Sequence, residues 1–209
     1  MGVARQRQNR DRHQEILEAA VRVITERGLA DTRISDIAER CGVSPGLILY
    51  YFDSKDRLLV EALTYANDRF YLRMSREIRR LPRAWDRLVR LIELSTPGYL
   101  PGEEPLDEWA LWVEIWVRAL RDPEMAKERE ALDKRWRAAI ADIIRGGQET
   151  GEFPPGDADE LALRIGALID GLAIQVMMND SEVTPRHMRD ACLEVAAREI
   201  GYELEPTGR

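Results

Sequence analysis

The strongest constraint on this chain is the punctuation between Asp31 and Asp56, in the run DTRISDIAERCGVSPGLILYYFDSKD. Ile37, Ala38 and Cys41 fall three and four residues apart, so they share one helical face. Gly42 follows at once, and glycine suits the left-handed position just past a helix end. Ser44 can cap a second helix, with Pro45 at its first position, where a missing N–H leaves no hydrogen bond unmade. That helix is short, Pro45 to about Phe52, before Asp53 and Ser54 restart the chain as a third. Helix, glycine turn, short helix is the helix-turn-helix arrangement, which lays its second helix in the major groove of DNA.

With those residues in place, the run resembles the DNA-binding domain of TetR-family transcriptional repressors. Thr32, Ile37-Ala38, Gly42-Val43-Ser44, Gly46, Tyr50, Phe52, Ser54-Lys55 and Leu58 stand where that family's pattern places such residues. The likeness is specific over the first quarter of the chain and architectural over the remainder. It implies a reading head over residues 1–56 and a regulatory and dimerisation body over 57–209. It also implies a double-stranded DNA operator, palindromic and bound by a homodimer. Within the motif, Thr32, Ser44, Tyr50 and Lys55 can donate to phosphate oxygens, and backbone N–H groups near Gly46 can approach the sugar-phosphate. Such contacts position the protein without reading sequence. Arg33, Ser35, Pro45, Leu47 and Leu49 lie where family members reach base edges. Leu47 and Leu49 replace the Thr and Tyr of many members, and an apolar side chain can touch a thymine methyl but makes no bidentate contact. Arg33 is therefore the leading candidate for a direct base read.

Charge places the two functions. The formal net charge is −7, yet residues 1–56 hold nine Lys/Arg and nine Asp/Glu, so the whole deficit lies downstream. Arg5, Arg7, Arg10 and Arg12 form a basic arm ahead of the head, opposed locally by Asp11, which either orders on DNA or stays a solvated tail. Cys41 and Cys192 are far apart, without a CxxC, and the two histidines are His13 and His187. Neither a zinc finger nor a disulfide framework fits. No apolar leader and no run of 18 apolar residues is present, so the cytoplasm is the expected location.

The class expected is all-α, with about nine helices, because apolar residues recur at helical spacing and no alternating β-branched run appears. A first amphipathic helix spans about Asp11 to Arg27 and ends at Gly28. Ser54 caps a long helix to about Arg80, with Leu59, Ala62, Leu63, Ala66, Phe70, Met74 and Ile78 as its buried stripe. Further helices are expected at about 82–95, 106–120 and 123–145, the last ended by Gly146-Gly147 and Gly151. Between Thr96 and Pro105 lies a Pro- and Gly-rich loop. Asp157 and Glu160 form a capping box for a helix reaching about Asn179 that is apolar nearly all round. Thr184-Pro185 opens the last helix, to about Ile200. The helices at 157–179 and 184–200 are the natural surface for a homodimer, unless the first is a core helix of one chain. The resemblance implies the dimer, as a four-helix bundle.

The body has no nucleophile elbow, phosphate loop or metal-ligand pair, so neither an enzyme nor a cofactor is expected. It does carry Trp109, Trp112 and Trp116 at i, i+3 and i+7, with Trp136 on the next helix. These indoles either pack a core or line a pocket between helices for a small-molecule effector. Tyr99, Val113, Glu114 and Asp170, with Ile174, Gln175, Met177 and Met178, could complete its walls. The Gly151-Glu152-Phe153 and Ile169 to Ala173 segments resemble the branch of the family that includes the choline-responsive betaine-operon repressor. Indoles with a carboxylate suit a quaternary ammonium through cation–π contact. A body that only dimerises or binds protein, with no effector, is the competing reading.

Overall fold

The computed structural model describes residues 2–100 and 107–203. Nine helices and no strand are found among them: α1 Gly2–Asp31, α2 Ile34–Cys41, α3 Pro45–Phe52, α4 Lys55–Ile78, α5 Ala84–Leu94, α6 Asp107–Ala119, α7 Pro123–Glu149, α8 Ala158–Met177 and α9 Pro185–Ile200. The all-α expectation holds. By packing, the chain forms two compact units. Unit 1 holds residues up to Tyr71 together with Ala110–Arg129, and unit 2 holds Leu72–Trp109 with Glu130–Arg209.

In unit 1, Ile16, Ala20, Val23 and Ile24 of α1, Ile37 and Ala38 of α2, and Ile48 and Phe52 of α3 are all at most 2% exposed. They make the apolar core of a three-helix head, whose burial is its main source of stability. Helix α1 starts earlier than the expected Asp11 and carries the arm as helix, broken at Gly28 (φ 77, ψ 161). The side chains of Arg5 and Arg7 lie outside the described residues. Arg12 Nη1 pairs with Glu15 Oε2 at 2.7 Å, so that arm cation is engaged on its own helix. His13 stacks on Phe52 with ring centroids 4.5 Å apart and reaches Glu61 Oε2 at 3.2 Å.

The buried stripe of α4 keeps five of the seven expected residues, Leu59, Ala62, Leu63, Met74 and Ile78, and differs at two positions. Ala66 and Phe70 are half-buried, while Leu59, Leu63, Asn67, Tyr71, Met74 and Ile78 are buried. A three-or-four-residue step allows both tracks, and only packing chooses between them.

In unit 2 the Gly-Glu-Phe segment is a structural lock. Helix α7 does not stop at Gly146-Gly147 but runs through both to Glu149. Phe153 is 2% exposed and packs against the helix there: a Cβ on Gly147 would sit 2.2 Å from Phe153 Cδ2. The glycine is needed for that close approach, not to end the helix. Glu152 accepts from the N–H groups of Ala84 at 2.6 Å and Trp85 at 3.0 Å, which satisfies two orphan donors of α5 from outside its own sequence. Tyr202 closes the arrangement, stacked on Trp85 at 4.5 Å and edge-on to Phe153 at 5.6 Å.

Asp157 Oδ1 caps α8, accepting from Asp159 and Glu160 N–H at 3.1 Å each. The Glu160 side chain accepts from Arg164 Nε. Thr184 Oγ1 caps α9, accepting from His187 N–H at 3.1 Å. Along α8, Ala158, Ala162, Ile165, Gly166, Ile169 and Ala173 are buried, whereas Leu163, Ala167, Gly171 and Met178 beside it are exposed. The Pro- and Gly-rich loop is described only to Leu100; Pro101, Gly102 and Pro105, with Leu106, fall outside the described residues. No described helix is long and apolar enough to cross a membrane.

Candidate nucleic-acid interface and regulatory body

The turn between α2 and α3 is built from local chemistry. Arg33 N–H donates to Asp36 Oδ2 at 3.1 Å and so starts α2. Gly42 takes φ 65, ψ 36, a left-handed conformation that side chains resist, and its N–H and that of Val43 close the helix on Glu39 and Ala38 carbonyls. Ser44 Oγ then accepts from Leu47 N–H at 3.2 Å, with Pro45 next to it.

Helix α3 is thereby held with Ile48 and Phe52 inward and its other side free. Pro45, Gly46, Leu49 and Tyr50 are exposed, Leu49 at 43% and Tyr50 at 76%, and Leu47 is half-buried. Arg33, Ser35 and Ser44 are exposed, and Lys55 is half-buried at the first position of α4. Ser54 Oγ accepts from Arg57 N–H at 3.2 Å, which caps α4 one residue before Lys55. The outer side of this short helix thus leaves a leucine and a tyrosine in water.

Thr32 departs from its expected role. It is 0% exposed, and its hydroxyl donates to the Gly28 carbonyl at 2.7 Å. That bond satisfies a carbonyl at the break in α1, so the side chain serves the junction of α1 and α2 and is not presented to a phosphate. Cys41 is half-buried, with Sγ 3.9 Å from the Glu15 carbonyl. Burial first, then the Glu15 carboxylate, pushes its thiol above the ordinary range.

Unit 1 also contains the end of the body nearest in contact to this head. Arg118 of α6 donates to Asp56 Oδ1 at 2.7 Å, and also to Asp122. Asp56 directly follows Lys55. Glu114 Oε1 lies 3.1 Å from the place a Cβ on Gly28 would take. Neither link was foreseen from the sequence, because nothing in a helical period says which distant helix a surface arginine meets. Trp112 and Trp116 share this unit, half-buried, with ring centroids 6.3 Å apart and planes at 48°. Val113 beside them is half-buried too.

The remaining body candidates belong to unit 2. Trp109 donates from Nε1 to the Ser95 carbonyl at 2.9 Å. Tyr99 lies under the Arg189 guanidinium, 5.7 Å from its centroid, and Arg189 also pairs with Glu93 at 3.2 Å. Trp136 is 9% exposed and packs where Gly166 leaves room, its Nε1 3.4 Å from the position of a Cβ there. Asp170, Ile174 and Met177 are half-buried on α8. Burial, reinforced by Asp133 and opposed by Arg137, pushes the Asp170 carboxyl up to about 7. The three indoles of α6 are thus divided, Trp112 and Trp116 in one unit and Trp109 in the other.

A surface depression of about 430 Å³ on α9, lined by Thr184, Arg186, His187, Asp190, Ala191 and Glu194, includes none of the expected effector residues. No group of His, Cys, Asp or Glu among the described residues is arranged to hold a metal. A buried polar residue of α4, Asn67, was passed over in the sequence. Its signal was a polar residue four positions after Leu63 and seven before Met74 in an apolar track.

Comparison with known proteins bears on both ends of the chain. Residues 16–62 match the model of the family described as bacterial regulatory proteins, tetR family. Residues 84–201, more than half the chain, match that of the C-terminal part of BetI-type transcriptional repressors. A transcriptional regulator from Saccharomonospora viridis, solved in complex with choline, is 39% identical; the alignment covers 89% of this chain and 95% of that one, with a TM-score of 0.78. The HTH-type transcriptional regulator BetI of Brucella canis is 25% identical over 164 residues, 78% of this chain and 79% of its own. The regulator FadR of Bacillus subtilis, solved in complex with stearoyl-CoA, is 25% identical over 88% of this chain and 96% of that one, with a TM-score of 0.69.

Proposed function

Because the chain belongs to the tetR family of regulatory proteins, we propose that it is a repressor that binds a palindromic operator as a homodimer and leaves it when a small quaternary ammonium of the choline class occupies its body. As a member of that family it is a DNA-binding transcriptional regulator and not an enzyme. The observation that carries the effector reading is the 39% identity, over nearly the whole chain, to a regulator solved with choline. The half-buried indoles Trp112 and Trp116 suit it, since a desolvated cation is attracted to an indole face.

The residues divide the work as follows. Ser44, Tyr50 and Lys55 hold phosphates, and the backbone at Gly46 approaches the sugar-phosphate. Arg33 and Ser35 reach base edges with the outer face of α3, where Leu47 and Leu49 offer apolar contact to thymine methyls. One head buries too little surface for useful specificity, so two half-sites are read together. The exposed apolar track of Leu163, Ala167, Gly171 and Met178 on α8, with α9, is the surface that joins the two subunits. The small residues Ala167 and Gly171 let a partner backbone come close. Arg118 supplies the transmission: it sits on the helix of Trp112 and Trp116 and holds Asp56, next to Lys55. An effector that is bound only when α6 has shifted draws the population away from the DNA-binding state.

The test is operator release. DNA selected by the purified protein from a random duplex library is titrated with choline, and fluorescence anisotropy reads the free fraction. Release at submillimolar to millimolar choline is expected. Release by long-chain acyl-CoA with indifference to choline would replace this effector class with the one suggested by the FadR likeness. In the same assay Lys55→Ala weakens binding to every sequence and makes the slope of log K against log salt shallower by about one. An unchanged slope removes Lys55 from the phosphate contacts.

A further inference from the structure

Charged side chains join three helices of unit 2 in one line. Arg90 of α5 donates from Nε and Nη2 to Glu77 Oε2 on α4, the first at 2.8 Å. From Nη1 it also reaches Glu93 Oε2, one turn along α5, at 3.4 Å. The other oxygen of Glu93, Oε1, accepts from Arg189 Nη2 on α9 at 3.2 Å. Tyr99 lies 5.7 Å beneath the Arg189 guanidinium, which also donates to Asp190 at 2.8 Å. The side chains of Glu77, Arg90, Glu93 and Arg189 are between 19% and 32% exposed. Ion pairs at that depth add little net stability, because desolvation and side-chain ordering offset most of the attraction. What they fix is geometry: a guanidinium fork on a carboxylate holds one register, whereas non-directional apolar contacts tolerate small shifts.

We infer that Glu93 is a positioning residue for DNA recognition: by tying the Glu77 end of α4 to α9 through Arg90 and Arg189, it sets the half-site spacing that the protein accepts. This rests on the reading of the protein as a dimer joined through α8 and α9 on a palindromic operator, and it assigns the residues that fix the spacing. Helix α4 is one continuous helix that begins in unit 1 at Lys55 and ends in unit 2 at Ile78. From Lys55 to Glu77 it rises about 33 Å at about 1.5 Å per residue. Over that length a tilt of about 5° moves the far end by about 3 Å, close to the rise of one base pair, about 3.4 Å. In a two-fold dimer any tilt of α4 against α9 is repeated in the partner, so both heads move. Without the Glu93 carboxylate, Arg90 keeps Glu77 and Arg189 keeps Asp190, so the line breaks only at its middle.

Fluorescence anisotropy on the full-length protein tests it, with the operator selected from a random duplex library and four derivatives. Two are one base pair longer or shorter between the half-sites, one has an altered base pair within a half-site, and one keeps a single half-site. The native protein binds both spacer derivatives about tenfold or more weakly than the operator. Glu93→Gln narrows that difference to about threefold or less, while the altered base pair costs it the same factor as the native protein and sedimentation finds it still dimeric. Glu77→Gln, at the other end of the line, narrows the difference too, and decides alone if Glu93→Gln does not fold. A purely structural role would lower the melting temperature and leave spacer discrimination intact. A native-like spacer penalty in both variants therefore overturns the inference and leaves the dimeric reading standing. So does equal affinity of the native protein for all three spacings. Binding of the single half-site as tightly as the operator overturns the dimeric reading and this inference with it.

Discussion

Replacing Asp170 with asparagine should remove a pH dependence that the fold has created. Burial on α8 is the main reason that its carboxyl titrates at about 7 and not at 3.8, Asp133 adding to the effect and Arg137 opposing it. The folded state therefore holds this proton more tightly than the unfolded chain does. Its contribution to stability is fully present below about pH 4 and is lost as pH rises through about 7. At about 1.4 kcal/mol per pH unit, the displacement corresponds to a ceiling of about 4 kcal/mol. The side chain is half-buried, and solvent screening brings the expected figure to about 2 kcal/mol. Urea denaturation at one fixed protomer concentration, from about pH 4.5 to about pH 8.5, is the assay, because a dimer's stability depends on concentration. The informative quantity is the difference between Asp170→Asn and the native protein, in which the other carboxylates cancel. That difference should move in favour of the asparagine by about 2 kcal/mol between the two ends of the range. A difference that does not change with pH, or that moves the other way, would show that the Asp170 carboxylate is solvated or paired and would refute the reasoning.

Three further substitutions test other parts of the structure. Gly147→Ala places a Cβ inside the ring of Phe153; the ring must leave its buried site, and chemical denaturation should show a loss of about 1–3 kcal/mol. Unchanged stability would mean that the ring has an alternative seat. Glu152→Ala strips the N–H groups of Ala84 and Trp85 of their acceptor and should lower stability by about 1–2 kcal/mol, visible as a lower melting temperature. Arg118→Ala cuts the link from α6 to Asp56; affinity for DNA without effector should stay within a few-fold, while the effector's power to weaken DNA binding falls by about tenfold. A full effector response in this variant would move the transmission elsewhere.

The sequence by itself determined the features whose causes lie within four residues along the chain. Gly42, Ser44 with Pro45, Ser54, Asp157 and Thr184 act on backbone groups one to four positions away, so turn and cap chemistry could be read directly. The helix-turn-helix and the all-helical class followed from those signals and from apolar spacing. Tertiary structure decided what depends on partners far along the chain. Gly146-Gly147 looked like a helix end because the reason for a glycine there, the ring of Phe153, arrives only after a turn. Thr32 looked like a phosphate donor until the break at Gly28 left a carbonyl for it to satisfy. Asn67 and Ala66 were equally admissible on the inner track of α4, since the helical period fixes a stripe only to within one residue. The indoles of α6 were one face by spacing, yet packing divided them between two units, and that division placed Trp112 and Trp116 with the head they are proposed to control. Local hydrogen bonds are specified by neighbours in sequence. Which arginine reaches which helix is specified by the chain's return in space.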